Sequence, residues 1–145
     1  MEQHGYVVRI ERTFAASAED VFDAWTSAEV MRRWFHVRPD WDTPEAEVDL
    51  RVGGKVRIVM RTPDGTRYEA EGEYMLIDRP RRLVMTWTFA DDPANVQRID
   101  LSFDQSEGST TVLMINSGIS VPERRDNQEA GWQGCLNELE RTLAG

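Results

Sequence analysis

Hydrophobic and polar positions recur along this chain with two different periods, and the switches between them mark its elements. Tyr6 to Phe14 is rich in β-branched and aromatic residues and predicts a strand. Ser17 then offers a helix N-cap, with Glu19 and Asp20 in the first turn, where carboxylates meet the positive end of the helix dipole. Val21, Phe22 and Trp25 follow at helical spacing. Thr26-Ser27 breaks this helix and supplies a second cap. Val30, Met31, Trp34 and Phe35 form a second helical stripe. Pro39 and Pro44 bound an irregular stretch that holds Trp41.

From Ala46 the period changes to two. Val48, Leu50 and Val52 alternate with charged residues, and Gly53-Gly54 makes a turn. Val56, Ile58 and Met60 alternate with Lys55, Arg57 and Arg61 before the hairpin signal Pro63-Asp64-Gly65. Tyr68, Ala70, Gly72, Tyr74 and Leu76 alternate with Arg67, Glu69, Glu71 and Glu73, one dry face against one wet face. Asp78 to Arg81 turns the chain. Leu83, Met85, Trp87 and Phe89 form the next dry face, ended by a turn at Asp91 to Pro93. Ile99, Leu101 and Phe103 follow, then a turn from Ser106 to Ser109 and a last strand from Thr110 to Asn116.

Pro122 to Asn127 reads as a polar connection, and a helical period returns from about Asp126. Trp132, Leu136, Leu139 and Leu143 mark its apolar stripe. Gly131 and Gly134 stand inside it, each costing about 1 kcal/mol against alanine, which points to close packing against something bulky. The order is strand, two short helices, six strands, one long helix. Sequential hairpins give a curved antiparallel sheet of about six to seven strands, and the long helix must bury its stripe against the dry face. The expected fold is α+β, one domain over residues 1–145, with the sheet gripping the C-terminal helix.

The segment Ser17 to Phe35, with Val21, Phe22, Trp25, Thr26 and Trp34-Phe35, resembles the helical opening of the START-like, birch-pollen-allergen-like superfamily. Asp49-Leu50-Arg51-Val52-Gly53-Gly54 is similar to that superfamily's mid-chain turn. Gly72-Glu73-Tyr74 and Pro80-Arg81-Arg82-Leu83-Val84 with Thr86-Trp87 are similar to its next strand pair. Gly131-Trp132 with Leu136 and Leu139 resembles the start of its final helix. The branch most resembled is that of homologues of the heat-shock protein 90 ATPase activator, in its C-terminal domain. The resemblance implies a helix-grip fold with an apolar cavity between sheet and helix. Relatives use that cavity for lipids, sterols, polyketides or other hydrophobic molecules, and some are cyclases or dehydratases.

Charge and composition narrow the partners. The chain carries 17 Lys+Arg against 26 Asp+Glu, a formal charge of −9. This disfavours nucleic acid, whose phosphates need a basic face, and anionic membrane surfaces. No apolar run reaches the roughly 18 residues of a membrane helix. Residues 1–5 show no basic segment followed by an apolar stretch, so no signal peptide is expected and the cytoplasm is the expected compartment. A lone cysteine, Cys135, excludes an intramolecular disulfide and a cysteine zinc cluster.

Catalytic groups are sparse. His4 and His36 are the only histidines, too few for a triad or a histidine metal site, and no metal or cofactor is expected. Cys135 lies beside the helix stripe with no evident base, which reads as a buried structural thiol. Glu69, Glu71 and Glu73 share the wet face and should point to water. Gly53-Gly54 lacks the flanking residues of a phosphate loop.

The dry face is the informative feature. It gathers Met60, Tyr74, Met85, Trp87, Phe89, Phe103 and Met114, and the helix adds Trp132. Ala70 and Gly72 remove volume beside Tyr74. Large rings beside small residues leave room for a ligand, and methionine adapts to varied shapes. Trp25, Trp34, Met60, Tyr74, Met85, Trp87, Phe103, Met114, Asn116 and Trp132 are therefore the candidate ligand-binding residues, and none is assigned a catalytic role. Arg12, Tyr74 and Asn116 are the polar groups in the dry register. Arg12 either serves a ligand, pairs inside the protein or reaches solvent at a sheet edge.

Three functions stay open. The first is a carrier or sensor that binds a small hydrophobic ligand. The second is a cyclase or dehydratase, which requires at least two of Arg12, Tyr74 and Asn116 to converge in the cavity. The third is a chaperone-interaction module, disfavoured because the chain reads as one domain without an added N-terminal module. A homodimer through apolar residues around Trp41 and Val121 is also left open.

Overall fold

A computed structural model describes residues 5–144. His4 lies outside the described residues. The first strand, β1 (Tyr6–Phe14), is followed by α1 (Ala18–Thr26) and α2 (Ala28–Trp34). Both caps form: the Ser17 hydroxyl accepts the Asp20 N–H at 3.1 Å, and the Ser27 hydroxyl accepts that of Val30 at 3.3 Å. Six further strands follow, β2 (Asp42–Val48), β3 (Lys55–Arg61), β4 (Arg67–Asp78), β5 (Arg82–Phe89), β6 (Gln97–Ser106) and β7 (Ser109–Ile119), and then α3 (Pro122–Ala144). All pairings are antiparallel, in the order β1-β7-β6-β5-β4-β3-β2. This is the expected helix-grip α+β architecture, a curved sheet holding a long helix.

The structure corrects the elements in four places. The stretch read as irregular up to Pro44 contains the start of β2, with Pro44 at a register shift between Asp42 and Glu45. β2 ends the sheet, and an edge strand tolerates a residue without an N–H. Leu50 and Val52 do not continue the alternation. They stand 43% and 64% exposed in the β2–β3 turn, which is pinned to the neighbouring strand where Gly53 N–H donates to Tyr74 O at 2.9 Å.

In β4 a register shift between Tyr74 and Leu76 reverses the phase, so Leu76 is exposed while Ile77 packs against the core. Tyr68, in phase with Ala70, is 46% exposed and stacks on Trp41 instead of entering the core. Finally, α3 begins at Pro122. Proline at a helix's first position loses only an N–H that has no helical partner, so it starts this helix instead of excluding it.

Gly72 and Gly134 are explained by backbone approach. A Cβ on Gly72 would lie 2.0 Å from Thr86 O of the adjacent strand, so this glycine lets β4 and β5 close. A Cβ on Gly134 would lie 2.1 Å from Val37 O. The bulky neighbour expected beside the helix glycines is, at Gly134, the backbone that follows α2, whereas Gly131 meets only the Val37 side chain at 3.7 Å.

Candidate functional site

The C-terminal half of α3 lies on the packed core, with Leu136 and Leu139 buried. Its N-terminal half stands off the β3–β5 part of the sheet and leaves an open cleft of about 980 Å³. Six aromatic residues line this cleft: Phe35, Trp41, Tyr68, Trp87, Phe89 and Trp132. Ile58, Met60 and Ala70 from β3 and β4 complete an apolar floor, and Gln128, Gly131 and Cys135 face it from α3. Trp87 contacts Phe35 at 5.7 Å between ring centroids, Trp132 at 6.2 Å and Phe89 at 6.5 Å. At the mouth Trp41 stacks on Tyr68 at 5.7 Å, nearly parallel.

Of the candidate ligand-binding residues, the cleft brings together Met60, Trp87 and Trp132. Trp25 and Trp34 lie behind it, edge-on at 4.8 Å, with Trp25 reaching Trp132 at 6.0 Å. Phe103 packs edge-on against Phe22 under α1. Tyr74, Met85 and Met114 belong to the buried core outside the lining. Asn116 is wholly buried. Its Oδ1 accepts from Gln128 Nε2 at 2.7 Å and Trp132 Nε1 at 3.0 Å, while its Nδ2 donates to Gln97 Oε1 at 3.1 Å and Arg98 O at 3.2 Å. This network fixes α3 to β6 and β7 and holds the Trp132 ring in the cleft wall.

Arg12 is a second latch. Its guanidinium donates to Asn137 Oδ1 at 2.7 Å and Gln133 Oε1 at 2.6 Å, both on α3. The Tyr74 hydroxyl is buried without a partner, and burial pushes its ionisation up. None of Arg12, Tyr74 and Asn116 lines the cleft, so the convergence required of a cyclase-type site is not seen. Among the described residues no group of three His, Cys, Asp or Glu side chains is placed to hold a metal ion.

Sequence reasoning passed over Phe35, Val37 and Tyr68 as lining residues, and over Gln128. Gln128 was findable, because it sits four residues before Trp132 on the same helical face. Glu69, expected in water, is half-buried and accepts from Arg57 Nε at 2.8 Å, whereas Glu71 and Glu73 are exposed as expected. Cys135 is buried, and its thiol is pushed up by burial and by Glu138, as befits an unreactive group.

His36 and Glu138 form an ionisable contact behind the cleft. Both are buried, with His36 Nε2 3.9 Å from Glu138 Oε1. Thr43 Oγ1 gives its single proton to Phe35 O at 2.7 Å, so it accepts from His36 Nδ1–H at 2.9 Å. Burial lowers the His36 pKa below its ordinary value, although Glu138 and Asp42 oppose that. The unfolded chain therefore holds this proton more tightly than the folded one. Stability from this site is full above pH 6.5, the ordinary histidine value, and is lost as pH falls through the lower folded value. His36→Gln keeps a donor for Thr43 and is expected to flatten the fall in Tm between pH 7.5 and pH 5. Parallel curves for variant and wild type would contradict this.

Residues 15–144 match the family described as Activator of Hsp90 ATPase homolog 1-like protein. Solved structures share the fold. The AHSA1 protein from Silicibacter pomeroyi superposes with a TM-score of 0.84 at 22% identity, over 96% of this chain and 98% of that one. The AHSA1-like protein from Aeromonas hydrophila gives 0.80 at 27% identity, over 96% and 92%. An HSP90 activator from Plasmodium falciparum gives 0.76 at 25% identity, over 97% of both chains. No curated protein is significantly similar to this chain in sequence.

Proposed function

The chain belongs to the Activator of Hsp90 ATPase homolog 1-like family, and from that premise we propose that it binds a small hydrophobic ligand in the aromatic cleft, as a carrier or sensor. The observation that carries this reading is the cleft itself. Its volume of about 980 Å³ is that of a small-molecule site, with Trp41, Tyr68 and Phe89 giving accessible rings and Phe35, Trp87 and Trp132 buried behind them. The wall is held by the protein's own contacts, the Asn116 network fixing Trp132 and the ring contacts fixing Trp87. Such preorganisation removes ordering costs from binding.

Gly131 gives a clean test. It lines the cleft, and a Cβ placed on it meets only Val37 Cγ2 at 3.7 Å. Gly131→Leu therefore fills the cleft from the helix side without moving backbone. Titration with Nile red, a neutral hydrophobic dye, is expected to show binding to the wild type and at least about tenfold weaker binding to the variant, a difference of about 1.4 kcal/mol. Equal affinities would place the dye elsewhere and remove the support for the cleft. Native mass spectrometry of gently purified protein would then give the mass of any resident ligand and the oligomeric state together.

A second reading is a chaperone partner, favoured by the likeness to the Plasmodium HSP90 activator. Here the exposed rim formed by Tyr68 and Val121, and not the cleft floor, would carry the contact. Co-purification with an Hsp90-class chaperone from the same cells separates the two readings.

A further inference from the structure

The indole nitrogens of the buried tryptophans are not treated alike. Trp34 Nε1 donates to Ala24 O at 2.9 Å, and Trp132 Nε1 donates to Asn116 Oδ1 at 3.0 Å. Trp87 is 2% exposed, and its Nε1 is sealed from water with no partner. A buried donor without an acceptor is unfavourable, and native proteins rarely leave one. Two other buried side-chain atoms among the described residues share this condition, Trp25 Nε1 and the Tyr74 hydroxyl. All three have a proton to donate. Of the three residues only Trp87 lines the cleft.

The cleft's charges point the same way. Arg67 and Arg124 are the cations in its lining, and both are held by protein carboxylates. Arg67 pairs with Glu45, while Arg124 lies 3.5 Å from Asp91 and 3.6 Å from Asp92. Neither offers an uncommitted positive charge to an anionic ligand. The rings of Phe35, Trp87 and Trp132 meet one another in tilted and edge-on pairs, an aromatic wall on which another aromatic ring packs well.

Taking the cleft as the ligand site, we infer that its ligand is a neutral, flat molecule with a carbonyl-type acceptor that takes a hydrogen bond from Trp87 Nε1. The ligand must displace part of the packing that seals this nitrogen. Of the rings that touch Trp87, Phe35 and Trp132 are buried and Phe89 is only half-buried, so Phe89 is the one freest to give way. Recognition follows from opposite preferences: the Trp87 N–H lacks an acceptor, and a ketone or quinone carbonyl needs a donor when it leaves water.

9-Fluorenone and fluorene test this directly. They have the same flat three-ring shape and differ by a carbonyl in place of a methylene. Calorimetric titration is expected to show about tenfold tighter binding of fluorenone to the wild type. Trp87→Phe keeps an aromatic ring and removes the donor, and it should bind the two molecules within about twofold of each other. In protein labelled with ¹⁵N-tryptophan, one indole N–H signal should move downfield with fluorenone and not with fluorene, which tests the bond even if the variant folds poorly. Equal wild-type affinities, or a preference that survives in Trp87→Phe, would overturn the inference and leave the cleft as a hydrophobic site. Binding of neither molecule would count against the cleft reading and this inference together.

Discussion

Asn116→Leu is expected to remove about 3–5 kcal/mol of folding stability, the cost of stranding several buried donors and acceptors at once. Leucine has the same branched four-atom side chain as asparagine and is somewhat bulkier, so a cavity is not the cause. The loss arises in the partners. Gln128 Nε2 and Trp132 Nε1 both donate to Asn116 Oδ1, and Gln97 Oε1 receives from Asn116 Nδ2. Gln97 and Gln128 retain their mutual bonds at 2.9 and 3.1 Å, which keeps the loss below the sum of the parts. Since a domain of this kind has about 5–15 kcal/mol in total, the variant should unfold at a much lower urea concentration. A drop of less than about 1 kcal/mol would show that the network is not what fixes α3. The double variant Asn116→Leu with Gln128→Leu should lose more still, because Gln97 Oε1 is then left without either of its donors. It should also loosen Trp132 and weaken binding in the cleft.

That network shows where a sequence informs and where it stops. Asn116 is legible as a buried polar residue because it shares its phase with Val112 and Met114 on one strand face. Its partners are not legible, since Gln97 and Gln128 come from separate elements and meet only when α3 lies across the sheet. The same holds for Arg12, in phase with Val8 and Ile10, whose acceptors Gln133 and Asn137 are more than a hundred residues away.

The candidate site divides along this line. Period-two alternation identifies the dry face that carries Met60, Tyr74, Met85, Trp87, Phe103 and Met114. It does not say which part of that face lies under a helix and which stays open. Phe103 is covered by α1 through Phe22, while Met60 and Trp87 lie where α3 stands off. Phe35 enters the lining from the end of α2, where the helical stripe marks it as buried but not as lining, and Trp41 enters from the α2–β2 segment, where no period exists to place it. The misread elements have local causes. Pro44 and Pro122 look like breaks, but one sits on an edge strand and the other at a helix start, the two settings where a missing N–H costs least.

Gly134→Ala should be destabilising by about 2–3 kcal/mol, although alanine is the better helix former. The added Cβ would stand 2.1 Å from Val37 O, 3.0 Å from Val37 C and 3.2 Å from Val37 Cα. These are backbone atoms, so no rotamer change relieves the contact. Either α3 moves away or the chain after α2 does. That chain is tied down where Thr43 and His36 bond each other and Thr43 bonds Phe35 O. Gly131, one turn earlier, is the internal control. An added Cβ there meets only Val37 Cγ2 at 3.7 Å, so Gly131→Ala should gain up to about 1 kcal/mol from helix propensity. The pair is read by urea unfolding under one set of conditions, and opposite signs are the expected result. A stabilising Gly134→Ala would mean that α3 does not rest on the Val37 backbone. The consequence reaches the cleft, because Val37 and Phe35 line it. Displacing α3 by the added methyl would shift Trp132 relative to Phe35, so Gly134→Ala should also weaken dye binding, whereas Gly131→Ala should leave those rings in place.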